Sequence, residues 1–328
     1  MNIERLSLRD FRNYRAAEVC PGRGLNVLYG GNAEGKTNLL ESLIVASSGR
    51  STRAAHDREL IRWGADAYRV YVEVAGHTGA ATIEVGADGA GGKVTRINGA
   101  DKKAADLLAL FSVVSFFPDD VYVVKGPPSL RRRMIDLTLS RTSRSYHYRL
   151  IEYYRILAQR NSLLRQWTDR RPPERLLAPW DEQLARAGAF IVRRRLEALG
   201  AMSDEAGRAY SRLSGGEALE LRYEPSVGAE AADDEERIGE RILAALRGAR
   251  DEEMRRGVTT VGPHRDDVAF MIGGADARVF GSQGQQRTIV LAVKAAEVQF
   301  LESRTGDSPV LILATYSRSS TIVARIPL

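Results

Sequence analysis

The segment Gly30–Thr37 constrains this chain more than any other stretch. Its residues, Gly-Gly-Asn-Ala-Glu-Gly-Lys-Thr, match the pattern G-x-x-x-x-G-K-[ST] at every fixed position. The apolar run Leu25–Tyr29 before it predicts a buried strand, and residues 38–44 after it have the apolar spacing of a helix. A glycine loop between a strand and a helix is the arrangement that holds the phosphates of a nucleoside triphosphate.

The residue types of this loop have defined tasks in phosphate binding. Glycines let backbone N–H groups point at the β-phosphate, and the positive end of the following helix adds to the attraction. Lys36 is predicted to reach the β- and γ-phosphate oxygens, and the Thr37 hydroxyl is predicted to ligate Mg²⁺. The predicted nucleotide-binding residues here are Gly30, Gly31, Asn32, Ala33, Glu34, Gly35, Lys36 and Thr37. The alternative, a glycine-rich turn that matches by accident, leaves the flanking strand and helix unexplained.

Length and composition set the broad class. The 328 residues suffice for one large domain or two with a sizeable core. No apolar run approaches the roughly eighteen residues of a membrane span, and the first residues lack an apolar signal core, which predicts a cytoplasmic protein. Cys20 is the single cysteine and is interpreted as a small hydrophobic residue at a strand end.

The net charge of +6 leaves the nature of the partner open. A positive surplus suits a polyanion such as nucleic acid. The surplus is modest for this length, however, and most of the 48 basic residues are arginine, which also follows from G+C-rich coding DNA.

A second glycine-containing loop precedes an apolar helix predicted over Thr288–Glu297. A Ser-x-Gly-Gln-Gln loop at a helix N-terminus offers a hydroxyl, backbone N–H groups and a positive dipole end to a phosphate. Its predicted phosphate-binding residues are Ser282, Gln283, Gly284, Gln285 and Gln286. The segment Leu213–Glu217 spells the signature of ATP-binding-cassette proteins, but an alternating pattern follows it, so it is interpreted as a turn before a strand.

The remaining patterns separate a β-rich part from a helical part. Residues 68–97 predict an antiparallel sheet, Phe111–Phe117 and Pro309–Leu313 predict buried strands, and residues 130 to about 200 predict helices with a break at 172–173. The predicted apolar helix faces carry Leu150, Tyr154, Leu157, Leu164 and Trp167, and then Trp180, Leu184, Ala187 and Ile191. Arginines 149, 155, 160 and 165 recur along the first helix and indicate either a solvated face or a phosphate-contacting one.

With both loops in place, the sequence resembles the RecF family, bacterial recombination-mediator ATPases of the Rad50/SMC-like branch of the cassette ATPases. The matching stretches run in order over residues 1 to about 313 and are Asp10–Tyr14, Gly30–Glu41, Gly49–Ser51, Lys125–Arg133, Gln159–Asn161, Gly262–Asp267 and Gly281–Arg287.

The resemblance implies an α/β fold, with an ABC-type P-loop ATPase head (a mixed sheet flanked by helices plus an antiparallel β-subdomain) and an inserted helical lobe. It places the head in residues 1–125 and 205–313 and the lobe in residues 126–204. It implies a weak ATPase with ATP and Mg²⁺ as cofactors. The ATP would lie between Gly30–Thr37 of one subunit and Ser282–Gln286 of the other.

The same resemblance implies the partners. They are a second copy of the chain in an ATP-dependent homodimer, DNA that is single-stranded or a gapped duplex, and RecO and RecR, with which the protein would help load RecA and support SOS induction. The γ-phosphate would favour the dimer, and hydrolysis would release it. Arg265 is open to two interpretations, a DNA or phosphate contact and a strand-entry turn.

The sequence departs from the family pattern after Leu313. An acidic pair should follow this strand, one residue holding Mg²⁺ and one orienting the attacking water, yet no carboxylate occurs after Asp307. A back-translation of residues 313–321 with one inserted base encodes Leu-Asp-Asp-Val-Leu-Ser-Glu-Leu-Asp. Residues 314–328 are therefore interpreted as an aberrant tail, the product of a frameshift that arises from a real mutation or from a sequencing error.

Three alternatives to an ATP-gated DNA-binding protein stay open. A small-molecule kinase or GTPase leaves the second loop without a task, and the chain lacks an Asn-Lys-x-Asp guanine reader. The long separation of the two loops speaks against a transporter ATPase subunit. A non-hydrolysing remnant of the family remains compatible with the missing acidic pair.

Overall fold

A computed structural model describes residues 1–77, 79–166, 174–314 and 322–326. Its chain divides into two units, Met1–Asp120 with Glu297–Leu328, and Val121–Ala296. The domain boundaries expected from the sequence, with a helical lobe at 126–204, stay a prediction.

The strands and helices follow one another in a mixed order. The strands are β1 Asn2–Phe11, β2 Tyr14–Val19, β3 Gly24–Leu28, β4 Ala67–Gly76, β5 Gly79–Asp88, β6 Lys93–Ile97, β7 Ala100–Asp101, β8 Val113–Phe116, β9 Leu219–Glu224, β10 Asp267–Ile272, β11 Ala275–Asp276, β12 Val310–Ala314 and β13 Ile322–Ile326. The helices are α1 Lys36–Ser48, α2 Ala104–Leu110, α3 Tyr122–Lys125, α4 Pro128–Thr142, α5 Arg144–Gln166, α6 Glu174–Ser214, α7 Glu235–Gly248, α8 Arg250–Arg256, α9 Ala277–Phe280 and α10 Gln283–Thr305.

An antiparallel sheet of order β2-β1-β4-β5-β6-β7 forms most of the first unit. Its strands alternate because one face is buried and the other meets solvent. Leu6, Val70 and Ile83 lie on the buried face, where they join a core that also holds residues of α1. The antiparallel block predicted for residues 68–97 is confirmed.

A second, mixed sheet of order β3-β13-β12-β8 completes this unit. Strand β12 runs parallel to β8, and β13 pairs antiparallel with both of its neighbours. The strand predicted at Leu25–Tyr29 is present, but the expectation that it is buried is wrong. Leu25 is 63% exposed and Val27 47% exposed, because β3 is an edge strand and only its other face, with Leu28, packs on the core.

The second unit consists of packed helices and a sheet of order β11-β10-β9. Leu184, Ala187 and Ile191 are buried along α6, as the sequence predicted. On α5 the prediction is partly wrong: Leu157 and Leu164 are buried, but Tyr154 is 44% exposed and Tyr153 is buried instead. Trp167 and the predicted break at 172–173 lie outside the described residues.

Arg160 is fully buried, which corrects the interpretation of the α5 arginines as one exposed row. Its Nε donates to Asp181 at 2.7 Å, its Nη1 donates to Thr259 at 2.8 Å, and its Nη2 lies 2.7 Å from Glu253. The Nη2 contact misses the angle of a hydrogen bond, so it is an ion pair only. Arg160 therefore joins three segments of the second unit rather than facing solvent or phosphate.

A second buried network surrounds Arg195, which holds the Asp136 carboxylate with two hydrogen bonds of 2.9 Å. Its Nη1 donates to the Pro263 carbonyl at 2.6 Å and lies 3.7 Å from Asp266. Tyr223 also donates to Asp266, and burial raises the pKa of that carboxyl. In the resemblance stretch Gly262–Asp267, Gly262, Pro263 and Asp266 are therefore buried in this unit, whereas Arg265 is exposed.

His264 belongs to the same turn and is partly buried. Its Nε2 donates to the Thr259 carbonyl at 3.1 Å, so its Nδ1 accepts from the Tyr153 hydroxyl at 2.7 Å. Burial, together with nearby guanidinium groups such as that of Arg265, lowers the pKa of His264 to about 4. Arg265 itself donates twice to the Thr259 carbonyl, which supports the strand-entry turn over a phosphate contact.

Candidate functional site

The loop Gly30–Thr37 leads from β3 into α1 and leaves the helix N-terminus accessible. Gly35 is the N-cap residue and has φ 97°, a left-handed conformation that favours glycine. A Cβ at this position would collide with the Asn13 side chain. No side chain caps the first turn and no acidic residue lies in it. The first N–H groups of α1 and its positive dipole end are therefore free to bind an anion.

Lys36 supplies the positive charge of the loop. Its Nζ donates to the carbonyl oxygens of Gly30 at 2.7 Å and Gly31 at 2.5 Å. These bonds fold the side chain back over the loop, where a bound phosphate would compete for the same ammonium. A Cβ at Gly30 or at Gly31 would collide with the Glu34 carboxylate, so a side chain at either position would require the Glu34 side chain to move.

Glu41, fully buried on α1, joins two neighbouring segments to the nucleotide loop. Arg12 binds its carboxylate through two hydrogen bonds, of 2.7 and 3.0 Å, and Ser51 donates to it at 2.5 Å. Arg53 reaches the same carboxylate at 3.2 Å and is 43% exposed. A buried carboxylate needs such partners, because an unpaired charge in the interior is costly.

Asn13 connects the β1–β2 turn to the loop. It packs against Gly35, and its Oδ1 accepts from Asn38 Nδ2 at 2.9 Å. In the sequence, Arg12 and Asn13 stand out only as part of a stretch that resembles the family, and a role for Arg53 was not predicted. The one local signal for Arg12 is its position in the turn after β1. In the structure, Arg12 adopts φ 55° there.

The second predicted loop lies in the second unit and forms the start of α10. Ser282 and Gln285 form a capping box: Ser282 Oγ accepts from Gln285 N at 3.2 Å, and Gln285 Oε1 accepts from Ser282 N at 3.0 Å. Ser282, Gln283 and Gly284 are exposed, and no acidic residue lies in the first turn. This helix end also suits an anion.

The environment of the Gln286 side chain differs from that of the other residues of this loop. It is buried, and its Nε2 donates to the carbonyl oxygens of Ala277 and Gly281, each at 3.2 Å. Gln286 therefore holds α9 against α10. A contact of its side chain with nucleotide, as predicted, stays a prediction.

The segment Leu213–Glu217 forms no helix start. Helix α6 ends at Ser214, Gly215 and Gly216 have positive φ angles, and β9 begins at Leu219. The interpretation as a turn before a strand is confirmed. Glu217 accepts from Gln285 Nε2 at 3.2 Å, so this turn supports the Ser282 loop.

For Mg²⁺, the residues present supply few ligands. Among the described residues no group of three or more His, Cys, Asp or Glu side chains could hold a metal ion. The Thr37 hydroxyl at the first turn of α1 is one oxygen donor. Mg²⁺ commonly uses one or two protein ligands together with phosphate oxygens and water, so Thr37 fits a metal that arrives with the nucleotide. Within the described ranges, every helix is too short or too polar to cross a lipid bilayer.

A P-loop between β3 and α1, beside an antiparallel sheet, defines the class: the fold is the α/β fold of an ABC-type P-loop ATPase head. A family model described as an AAA domain matches residues 5–152. The solved structure of the recombination mediator protein RecF-ATP in the RecFOR pathway superposes with a TM-score of 0.90 at 34% identity, covering 94% of this chain and 83% of that one.

Two curated relatives carry the name DNA replication and repair protein RecF. That of Symbiobacterium thermophilum is 44% identical over 316 residues, which cover 95% of this chain and 84% of the relative. The relative from Chloroflexus aggregans is 41% identical over 335 residues, which cover 95% of this chain and 86% of the relative. The chain belongs to the RecF family.

Proposed function

We propose that the chain is an ATP-gated DNA-binding protein of recombinational repair and replication restart. ATP would lie between Gly30–Thr37 of one subunit and Ser282–Gln286 of a second copy. The observation that carries this proposal is a pair of accessible helix N-termini, α1 and α10, each without an acidic residue in its first turn. The 34% identical relative described as RecF-ATP supports ATP as the nucleotide.

Dimerisation follows from the charge on the nucleotide. Each helix end attracts anions, so the γ-phosphate acts as a ligand for the partner's loop and favours the dimer, whereas ADP lacks that group. Val279 and Phe280, which precede the Ser282 loop, are 65% and 75% exposed. Exposed apolar side chains next to a predicted contact loop are suited to burial against a second subunit.

We further propose DNA that is single-stranded or a gapped duplex as the partner, together with RecO and RecR, with which the protein would help load RecA in the cytoplasm. The relatives named DNA replication and repair protein RecF support the DNA partner, and the RecFOR pathway named for the structural relative supports RecO and RecR. SOS induction would depend on the same DNA complex.

Hydrolysis by this chain would be slow. Mg²⁺ would be held by Thr37, phosphate oxygens and water, because Ala314 and Thr315 stand where the acidic pair is expected. Without the acidic pair no carboxylate orients the attacking water. This favours a second candidate function, a nucleotide-binding DNA clamp that turns over very little ATP.

Gapped-duplex binding, measured by fluorescence anisotropy with ATP, with ADP and without nucleotide, tests the proposal. We expect ATP to raise the affinity at least about tenfold, because a dimer presents two DNA-binding surfaces at once. The affinity should also fall steeply as salt rises, since phosphate contacts release counterions. Equal affinity in all three nucleotide states would contradict ATP gating.

A further inference from the structure

The outer face of the six-stranded sheet carries a cluster of positive charge next to the β1–β2 turn. An open cavity of about 480 Å³ lies on this face. Four arginines and one aspartate line it, so its charged lining has a surplus of three positive charges. The charged residues are Arg9, Arg15, Arg62, Arg69 and Asp10, and Tyr71 also contributes to the lining.

The strand register places two of these charges side by side. Arg9 on β1 is directly opposite Arg69 on β4. Directly opposed like charges destabilise a sheet. Glu84 offsets the charge of Arg69 but not that of Arg9. An anionic ligand on Arg9 would reduce the remaining repulsion between the two guanidinium groups.

Two arginines of the cluster, Arg9 and Arg15, differ from the other arginines of this face, which carboxylates neutralise. Arg5 pairs with Glu18 and Glu73, and Arg96 pairs with Glu84 and Asp101. Within the cluster, Arg62 pairs with Asp10 and Arg69 pairs with Glu84. Among the described residues no carboxylate pairs with Arg9 or Arg15, and both side chains are exposed.

An aromatic side chain stands next to the cluster. Trp63 follows Arg62 directly and is 95% exposed, and Arg62 Nη1 donates to its carbonyl at 3.2 Å. Tyr71 lies under Arg69, whose guanidinium carbon is 5.5 Å from the ring centroid. A basic groove with an accessible aromatic ring is the combination that binds phosphates and stacks on an unpaired base.

The chemistry of the lining favours a nucleic acid over an acidic protein. Arginine binds phosphate through two parallel hydrogen bonds, which suits a backbone with evenly spaced phosphates. Protein interfaces have an apolar centre, whereas Leu8 and Ala16 are the only aliphatic side chains of the lining. The cavity is open rather than enclosed, so an extended polymer fits it better than a small ligand.

We propose that this face is a nucleic-acid binding surface, with Arg9, Arg15, Arg62 and Arg69 on phosphates and Trp63 stacked on an unpaired base. The proposal rests on the proposed function, since it names the surface through which the chain would hold DNA. It assigns the single-stranded part of a gapped duplex to Trp63 and the backbone to the arginines.

The test compares two double variants that remove equal charge from the same sheet. The pair Arg9→Ala with Arg15→Ala removes the unneutralised charges, and the control pair Arg5→Ala with Arg96→Ala removes charges that carboxylates already balance. We expect the first pair to weaken gapped-duplex binding at least about tenfold and to lower the slope of log affinity against log salt by about two, one unit for each lost phosphate contact. The control pair should leave this slope unchanged.

A single variant tests the stacking contact. Trp63→Ala should weaken binding to gapped and single-stranded DNA several-fold and leave binding to a fully paired duplex nearly unchanged. ATP affinity and the melting temperature, measured on the same samples, should match those of the unaltered chain, because every altered side chain is solvent-accessible.

The outcomes separate this inference from the proposed function. If the unaltered chain binds gapped DNA in an ATP-dependent way and the Arg9/Arg15 pair binds equally well, the surface is wrongly placed while the proposed function stands. If the unaltered chain binds no DNA, both fail. If it binds polyglutamate instead, and the Arg9/Arg15 pair does not, the surface belongs to an acidic protein and the inference is overturned.

Discussion

Replacing Lys36 with alanine is expected to lower the affinity for ATP by at least about 100-fold. The ammonium group would donate to β- and γ-phosphate oxygens, and two charge-assisted hydrogen bonds together contribute roughly 3 kcal/mol or more, at about 1.4 kcal/mol per tenfold in affinity. The structure holds this group over the loop, 2.7 Å from the Gly30 carbonyl. Titration with a fluorescent ATP analogue measures the loss.

The matched control for this change is Lys102→Ala. Lys102 is an exposed lysine in the same unit, and it lies between β7 and α2, away from the nucleotide loop in the sequence. Its removal changes the net charge equally and should leave ATP affinity unchanged. Lys36→Ala binding ATP as tightly as Lys102→Ala would show that the nucleotide, if bound, lies elsewhere.

Replacing Arg160 with alanine is expected to destabilise the second unit by about 3–5 kcal/mol, because the change leaves buried carboxylates without their cation. Asp181 and Glu253 are 2% and 0% exposed and both lie 2.7 Å from the guanidinium. Arg250 remains as a second partner of Asp181, so Glu253 suffers the larger loss. For a unit of this size the melting temperature should fall by roughly 6–20 °C.

Thermal unfolding followed by circular dichroism checks this effect, with Arg155→Ala as the control. Arg155 lies on the same helix and is exposed, so its removal should shift the melting temperature by no more than a few degrees. If the Arg160→Ala and Arg155→Ala proteins had the same melting temperature, the buried ion pairs would contribute little to stability.

Local patterns accounted for the parts of the fold whose geometry is fixed by neighbouring residues. The Gly30–Thr37 loop, the alternating strands at 68–97 and the strand after Gly216 were all predicted, because turn chemistry and side-chain alternation act over a few residues. The helix predicted over Thr288–Glu297 is present, but α10 begins earlier, at Gln283, because Ser282 and Gln285 form a capping box there.

Burial of charge was not predictable, because its causes are distant in sequence. Arg160 has the pattern of a surface arginine on a helix, yet its partners Asp181 and Thr259 are 21 and 99 residues away. Glu41 would likewise be expected on the outer face of α1, but Arg12 bonds to it across 29 residues. A periodicity rule treats every charged residue as exposed and cannot detect such pairs.

In the candidate site, too, some residues were predictable from a local pattern and others were not. The phosphate loop was predictable from its pattern, whereas Asn13 and Arg53 come close to it only through the fold. The pairing of Gly30–Thr37 with Ser282–Gln286 depends on a second copy of the chain, and it is the central claim of the proposed function.

Mixing two defective variants tests that claim most directly. Lys36→Ala disables the first loop, and Ser282→Arg places a bulky cation in the exposed second loop. In a mixed dimer, the Lys36 loop of one subunit and the Ser282 loop of the other form one intact composite site. Sedimentation velocity with ATP should therefore show each variant alone as a monomer and the equimolar mixture partly as a dimer. A mixture that stays monomeric where the unaltered chain dimerises, or single variants that dimerise normally, would contradict a shared site.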